Sequence, residues 1–231
     1  KLLIDPMSPK NIQVDDVGGT IDFEGIKVDY YPPLMPALNA KGRATYDKKS
    51  FNLDIASGQL GDMSVTKSVI HLTDLDTQSD TVHAKADISV SLSGPLKTAL
   101  QVLDSEPLKY PAMLGISTAD VGGTADIETN FKFPMHKALD VKDVQVKATA
   151  KAKDVALENI VSDLPVTSGI ADLTVTNGTL NAKGTALLGA MPTTFDWTQN
   201  FSDTSPVKSS IDAQIEVDGD IFKKFGVPDD I

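Results

Sequence analysis

From Thr81 to Leu92 every even position is apolar (Val82, Ala84, Ala86, Ile88, Val90, Leu92) and every odd position is polar or charged. Side chains of an extended chain point alternately to opposite faces, so the pattern predicts a strand with one oily face and one wet face. The same period runs through Thr20–Glu24, with Ile21 and Phe23 on one face, and through Phe51, Leu53 and Ile55. It returns where Val144, Val146, Ala148, Ala150 and Ala152 alternate with Gln145, Lys147, Thr149, Lys151 and Lys153. Ala171, Leu173 and Val175 lead into Asn177-Gly178, a strong hairpin signal, and Leu180, Ala182, Gly184 and Ala186 return antiparallel on the other side. Further strands are expected over Asn11–Val17, Leu38–Tyr46, Met63–Leu72 and Met191–Phe201. The last alternation is Ile211, Ala213, Ile215 and Val217, with Asp218 placed to cap a helical turn holding Ile221, Phe222 and Phe225. Asp47-Lys48-Lys49 and the stretch from Ser57 to Asp62 read as turns, and the three prolines of Tyr30–Pro36 make it a linker.

After Leu92 the period changes to that of a helix. Pro95 suits a first turn, Leu96, Ala99, Leu100 and Leu103 share one face, and Pro107 closes the element, while Leu108–Asp120 reads as irregular. Val17-Gly18-Gly19-Thr20-Ile21-Asp22-Phe23 is echoed by Val121-Gly122-Gly123-Thr124-Ala125-Asp126-Ile127, about a hundred residues on. The echo suggests an internal duplication, with halves of about 11–107 and 108–231, inside one β-rich module spanning 1–231.

The expected fold is mainly β: amphipathic antiparallel strands with one short helix to cover them. The oily faces must meet each other or something else. One solution is a closed β-sandwich, whose sheets enclose a gap of about 10 Å filled by large side chains. The other is a curled, taco-like sheet around an open groove, which the many small inward residues (Ala84, Ala86, Ala148, Ala150, Ala152, Gly184) would suit. The pattern leaves both open.

Composition narrows the function more than the fold. The chain has 231 residues, 41% of them hydrophobic, enough to bury a core. With 21 basic against 32 acidic residues the formal charge is -11, and no basic cluster marks a surface for nucleic acid or anionic membrane. The absence of cysteine excludes disulfides and thiolate chemistry. No apolar run reaches the roughly 18 to 20 residues needed to cross a bilayer, and the opening Lys1-Leu2-Leu3-Ile4 reads as an internal piece of a longer chain. His71, His83 and His136 are scattered, and no nucleophile elbow, phosphate loop or zinc motif occurs, so neither enzyme nor cofactor is expected. The carboxylate pairs Asp15-Asp16, Asp74/Asp76, Asp218/Asp220 and Asp229-Asp230 read as turn and solubility residues, since none offers a calcium loop.

Several landmarks occur in order: Ser57-Gly58-Gln59-Leu60-Gly61, Ser93-Gly94-Pro95-Leu96 with its helix and Pro107-Leu108, and Gly122-Gly123-Thr124-Ala125 leading to Phe133-Pro134. Gly184-Thr185-Ala186-Leu187-Leu188-Gly189-Ala190-Met191-Pro192 follows, with Phe195 and Trp197. Together they resemble the DUF3971 region of the YhdP branch of AsmA-like envelope proteins. The resemblance implies a periplasmic module of a long protein anchored in the inner membrane of Gram-negative bacteria through a segment outside this chain. It implies a conduit that carries phospholipid toward the outer membrane along a hydrophobic β groove. The partners would be phospholipid acyl chains and neighbouring modules of the same chain. Candidate groove-wall residues are Ile21, Phe23, Val82, Ala84, Ala86, Ile88, Val90, Leu92, Ile127, Val144, Val146 and Ala148; Leu96, Ala99, Leu100 and Leu103 would place the helix over the groove. The rival expectations are a non-catalytic spacer, or a protein-binding or glycan-binding sandwich using Tyr30, Tyr31, Tyr110 and Trp197.

Overall fold

The computed structural model describes residues 2–4, 12–14, 17–30, 32–77, 83–106, 109–136, 138–161, 164–202 and 204–216. β1 (Leu2–Ile4) and β2 (Ile12–Val14) pair antiparallel as a small sheet of their own. The chain continues through β3 (Gly19–Val28), β4 (Ala37–Tyr46), β5 (Phe51–Leu60), β6 (Met63–Val65), β7 (Ser68–Thr73) and β8 (Ala84–Pro95). Two helices follow, α1 (Leu96–Asp104) and α2 (Tyr110–Met113), then β9 (Val121–Met135), a 3-10 turn at Val141–Asp143 and β10 (Gln145–Val161). The last strands are β11 (Leu164–Thr176), β12 (Thr179–Leu188), β13 (Met191–Asn200) and β14 (Ser209–Ile215). The larger sheet is 12-stranded, in the order β14, β13, β12, β11, β10, β9, β8, β6, β5, β4, β3, with β7 paired to β5 and β8. The fold is therefore mainly β as expected, and the described strands beyond β2 belong to one antiparallel sheet.

The chain divides into two compact units, Lys1–Leu92 with Glu128–Lys147, and Ser93–Ile127 with Ala148–Ile231. The boundaries run through β8, β9 and β10. In the first unit the expected run Met63–Leu72 is broken in two. β6 pairs Gly58–Leu60 and β7 pairs Phe51–Ile55 of the same strand, so the chain steps aside at Thr66-Lys67, opposite Ala56-Ser57. Ser68 pins the step: its hydroxyl donates to the Thr66 carbonyl at 3.0 Å and accepts from the Ser91 N–H at 3.1 Å. Leu60, Met63, Val65 and Ala40 are buried around it. β5 runs on to Leu60, which confines the expected turn to Gly61-Asp62, with Gly61 at φ 58°. The Asp47 turn forms as read, its carboxylate accepting from the N–H groups of Lys49 and Ser50 at 2.7 Å each.

In the second unit the hairpin at Asn177-Gly178 joins β11 to β12, with Val175 opposite Leu180. Thr176 Oγ1 accepts from the N–H of Gly178 at 3.3 Å and of Thr179 at 3.2 Å. α1 starts after extended Pro95 and ends at Ser105, close to the expected span. α2 lies in the stretch read as irregular; Pro111 in its first turn fits a helix start, because the missing N–H would have no partner there.

Candidate functional site

Antiparallel partners directly across from each other share a face of the sheet. In the first unit Ile21 stands opposite Ala44, Ala44 opposite Leu53, Leu53 opposite Ile70, and Ile70 opposite Ile88. The next row on that face is Tyr46, Phe51, Leu72 and Ala86, and Phe23 continues it beside Gly42 and Ile55. In the second unit the corresponding rows are Leu173, Ala182, Trp197, Ile211 and Ala171, Gly184, Phe195, Ala213. Each unit thus presents a wide apolar surface several strands across.

Burial on these surfaces is mixed: Leu188 and Met191, paired on the same face of the second unit, are buried, while many other large residues are not. The small residues are hidden: Ala44 and Ala182 are each 3% exposed, because larger neighbours on both sides lean over them. Many large ones, among them Phe23, Phe51, Leu53, Ile55, Ile70, Leu72, Ile88, Phe195 and Trp197, remain half-exposed. The largest side chains that are completely buried among the described residues are Met63 and Ser68. A second packed layer would have buried the large side chains first. Small residues therefore act as spacers between large ones in a row, a role that the alternation alone did not distinguish from lining a cavity.

The opposite faces are polar and cross-linked. In the first unit Arg43 Nε donates to Asp22 at 2.7 Å, and Lys132 and Asn130 converge on Asp87 at 2.8 and 2.6 Å. In the second, Lys151 reaches Asp172 at 3.0 Å, Lys183 reaches Asp196 at 2.7 Å, and Asp126 takes Ser93 at 2.7 Å and Lys153 at 3.2 Å. The Arg43 hydrogen bond holds the Asp22 carboxyl below its ordinary value of 3.8. Lys132, then Asn130, do the same for Asp87, and Ser93, then Lys153, for Asp126. Exposed pairs of this kind add little stability. They do fix register, since a slip of one residue would set the charges on the apolar face.

The candidate wall residues fall as follows. Ile21, Phe23, Ala86 and Ile88 join the apolar rows of the first unit. Ala84, Val90, Leu92, Ile127, Val144, Val146 and Ala148 are half-buried on strands that alternate in burial, with Val144 just before β10; Val82 lies outside the described residues. The helix turns differently from its pattern. Thr98 and Ala99 are its buried residues, Leu96 and Leu100 are half-buried, and Leu103 is 40% exposed, so the inward face is rotated away from the leucine stripe. Phe195 and Trp197 on β13, an aromatic part of the surface, stand outside the candidate wall residues, although their alternation with Thr194, Asp196 and Thr198 is a readable signal. Of the aromatics considered for a protein or glycan site, Trp197 lies in the apolar row with Nε1 donating to Ser209 Oγ at 2.9 Å, and Tyr110 leans on Phe201 with centroids 5.6 Å apart. Tyr30 is exposed, while Tyr31 lies outside the described residues. The His83 and His136 rings stand 5.0 Å apart, a pairing hidden in the sequence. No helix among the described residues is long and apolar enough to cross a membrane. No protein-family model, curated protein or solved structure matches this chain.

Proposed function

We propose that this chain is a non-enzymatic module of a periplasmic conduit that moves phospholipid between the inner and outer membranes, with acyl chains lying on the apolar faces of the sheet. One observation carries the reading: large aliphatic and aromatic side chains line one face of each unit, and many of them, Phe23, Phe51, Phe195 and Trp197 included, stay half-exposed. A contiguous open apolar surface is costly in water and marks a place where apolar matter docks. Acyl chains suit it because they cover the face without bringing a polar group out of water, so head groups remain hydrated during transit and no energy-coupled step is required of the module itself. The order of landmarks shared with the AsmA-like envelope proteins supports the same reading and supplies its cellular setting: a larger inner-membrane-anchored protein with further modules on either side.

Native mass spectrometry of the protein purified from a bacterial host in mild detergent tests it. Masses carrying one or more phospholipids, released at higher collision energy, are expected. A clean apo mass under conditions that keep a known lipid carrier loaded would overturn the proposal and favour a spacer.

A further inference from the structure

The two ends of the large sheet are finished differently. β3 is irregular, with register shifts at Phe23/Ile26 and Ile26/Val28, Gly25 at φ 71°, and charged Asp22 and Glu24 tied to Arg43 and Lys41. Bulges and charges of this sort are what keep an edge from recruiting strands. β14 has no bulge and a single charge, Asp212. It pairs with β13 without a bulge from Gln199 opposite Ser209 to Thr193 opposite Ile215, contains neither proline nor a basic residue, and is exposed throughout. The Glu216 N–H donates to the Pro192 carbonyl and the Asn200 N–H to the Lys208 carbonyl, so even-numbered residues of this stretch bond inward. By the alternation of an antiparallel ladder, the N–H and C=O groups of Ser209, Ile211, Ala213 and Ile215 point away from β13. Among the described residues nothing pairs with them.

The side chains say what would. Ile211, 62% exposed, extends the apolar row beyond Trp197, and Ile215, 43% exposed, stands on the same face opposite Thr193. On the other face the charges alternate strand by strand: Lys151, Asp172, Lys183, Asp196. Asp212 breaks the alternation by standing directly opposite Asp196, whose cation is Lys183, and among the described residues Asp212 has no ion-pair partner. Like charges directly across a ladder are unfavourable, and a cation on the far side of Asp212 would relieve them.

We propose that the outer edge of β14 is a docking edge for an extended segment of a partner protein, added as an antiparallel strand with apolar residues at alternate positions and a lysine or arginine opposite Asp212. Such strand addition takes its affinity from main-chain hydrogen bonds and its selectivity from the alternate side chains. A second copy of this chain is a poorer occupant. Its own β14 would bring Asp212 onto Asp212, and its β3 would bring Asp22 and Glu24.

The test uses fluorescein-labelled nonapeptides of alternating threonine and valine, with the central threonine replaced by lysine or by glutamate, titrated with the full chain at low ionic strength and followed by anisotropy. The lysine peptide is expected to bind at least about tenfold more tightly than the glutamate peptide, the order reversing for Asp212→Lys. Ala213→Pro removes an outward N–H without touching the bonds to β13, and should abolish binding of both peptides while leaving the circular dichroism spectrum and the melting temperature within a few degrees of the parent. Equal affinity for the two peptides, no binding of either, or binding that survives Ala213→Pro would overturn the proposal. So would sedimentation of a dimer that Ala213→Pro dissociates, which would give the edge to a second copy.

Discussion

Two short sequences each occur twice in this chain, and they teach opposite lessons. Val17-Gly18-Gly19-Thr20 and Val121-Gly122-Gly123-Thr124 are identical in letters yet differ in structure. Gly123 sits at φ 101°, where a Cβ would stand 2.6 Å from the Lys153 carbonyl oxygen, and Val121 is 7% exposed. Gly19 lies in the evenly paired start of β3, where a Cβ would meet the Tyr46 side chain, its hydroxyl at 2.8 Å, and Val17 is 44% exposed. Leu38-Asn39-Ala40-Lys41-Gly42 and Leu180-Asn181-Ala182-Lys183-Gly184 are also identical, and here the structures agree at the alanine and the glycine, with Ala40 and Ala182 both buried, although Asn39 is left-handed at φ 52° beside a register shift while Leu180–Gly184 pairs without a break. Gly42 and Gly184 each bring a bare backbone against a neighbouring carbonyl, of Asp54 and Ile170, beside a bulge in the adjoining strand. A row of acid, base, acid crosses each strand, Asp22, Arg43, Asp54 in one and Asp172, Lys183, Asp196 in the other, but the base follows the glycine in the first and precedes it in the second. A repeated peptide repeats its structure only at the positions where a neighbouring strand makes the same demand, here the close carbonyl at Gly42 and Gly184.

That comparison breaks most sharply at the shared glycines. Gly42→Ala and Gly184→Ala should each destabilise their unit by about 2–4 kcal/mol, because the clash is with backbone that cannot swing away. Denaturant unfolding checks this, and a loss at only one of the two sites would end the equivalence. The unequal pair should separate next. Gly123→Ala is expected to cost about 1–3 kcal/mol through its left-handed backbone and the Lys153 carbonyl, and Gly19→Ala less than about 0.5 kcal/mol, since the Tyr46 ring can move.

Acid should act on both units through their polar faces. Asp22, Asp87 and Asp126, and Asp47 through the N–H groups of Lys49 and Ser50, are held below the ordinary value of 3.8. A carboxyl with a depressed folded pKa adds stability that is complete above its unfolded value and is lost as pH falls through the folded one. Thermal midpoints should therefore stay level from neutrality to about pH 5 and drop below the unfolded value. The smallest effect belongs to single ion pairs. Lys183→Ala should lower the melting temperature less than Gly123→Ala does, with the difference from parent shrinking in molar salt.

Much of this molecule was legible because period-two alternation is a direct record of which face a residue takes. β4, β5, β8, β12, the first half of β10 and the Asn177-Gly178 hairpin follow from it, while β10 runs on to Val161 beyond the Val144–Ala152 alternation. What the pattern could not carry was anything that depends on a partner strand. The step at Thr66-Lys67 exists because Ser68 bonds to Ser91 on another strand, and the left-handed Ser168 marks a bulge set by its neighbour β12. α1 turned Thr98 inward although Leu103 is the oilier residue, because what a helix buries depends on what it meets. The apolar face itself was readable. Its openness was not, since a half-exposed phenylalanine and a buried one leave the same letter.

The chain's single tryptophan reports on that openness directly, because Trp197 sits in the apolar row between Ala182 and Ile211. Its fluorescence should be followed while phosphatidylcholine brominated along the acyl chains is added, against the unbrominated lipid as control. If acyl chains lie on this face, emission falls saturably with the brominated lipid alone. Emission that is equal with both lipids, in a sample shown to carry lipid, would contradict the account.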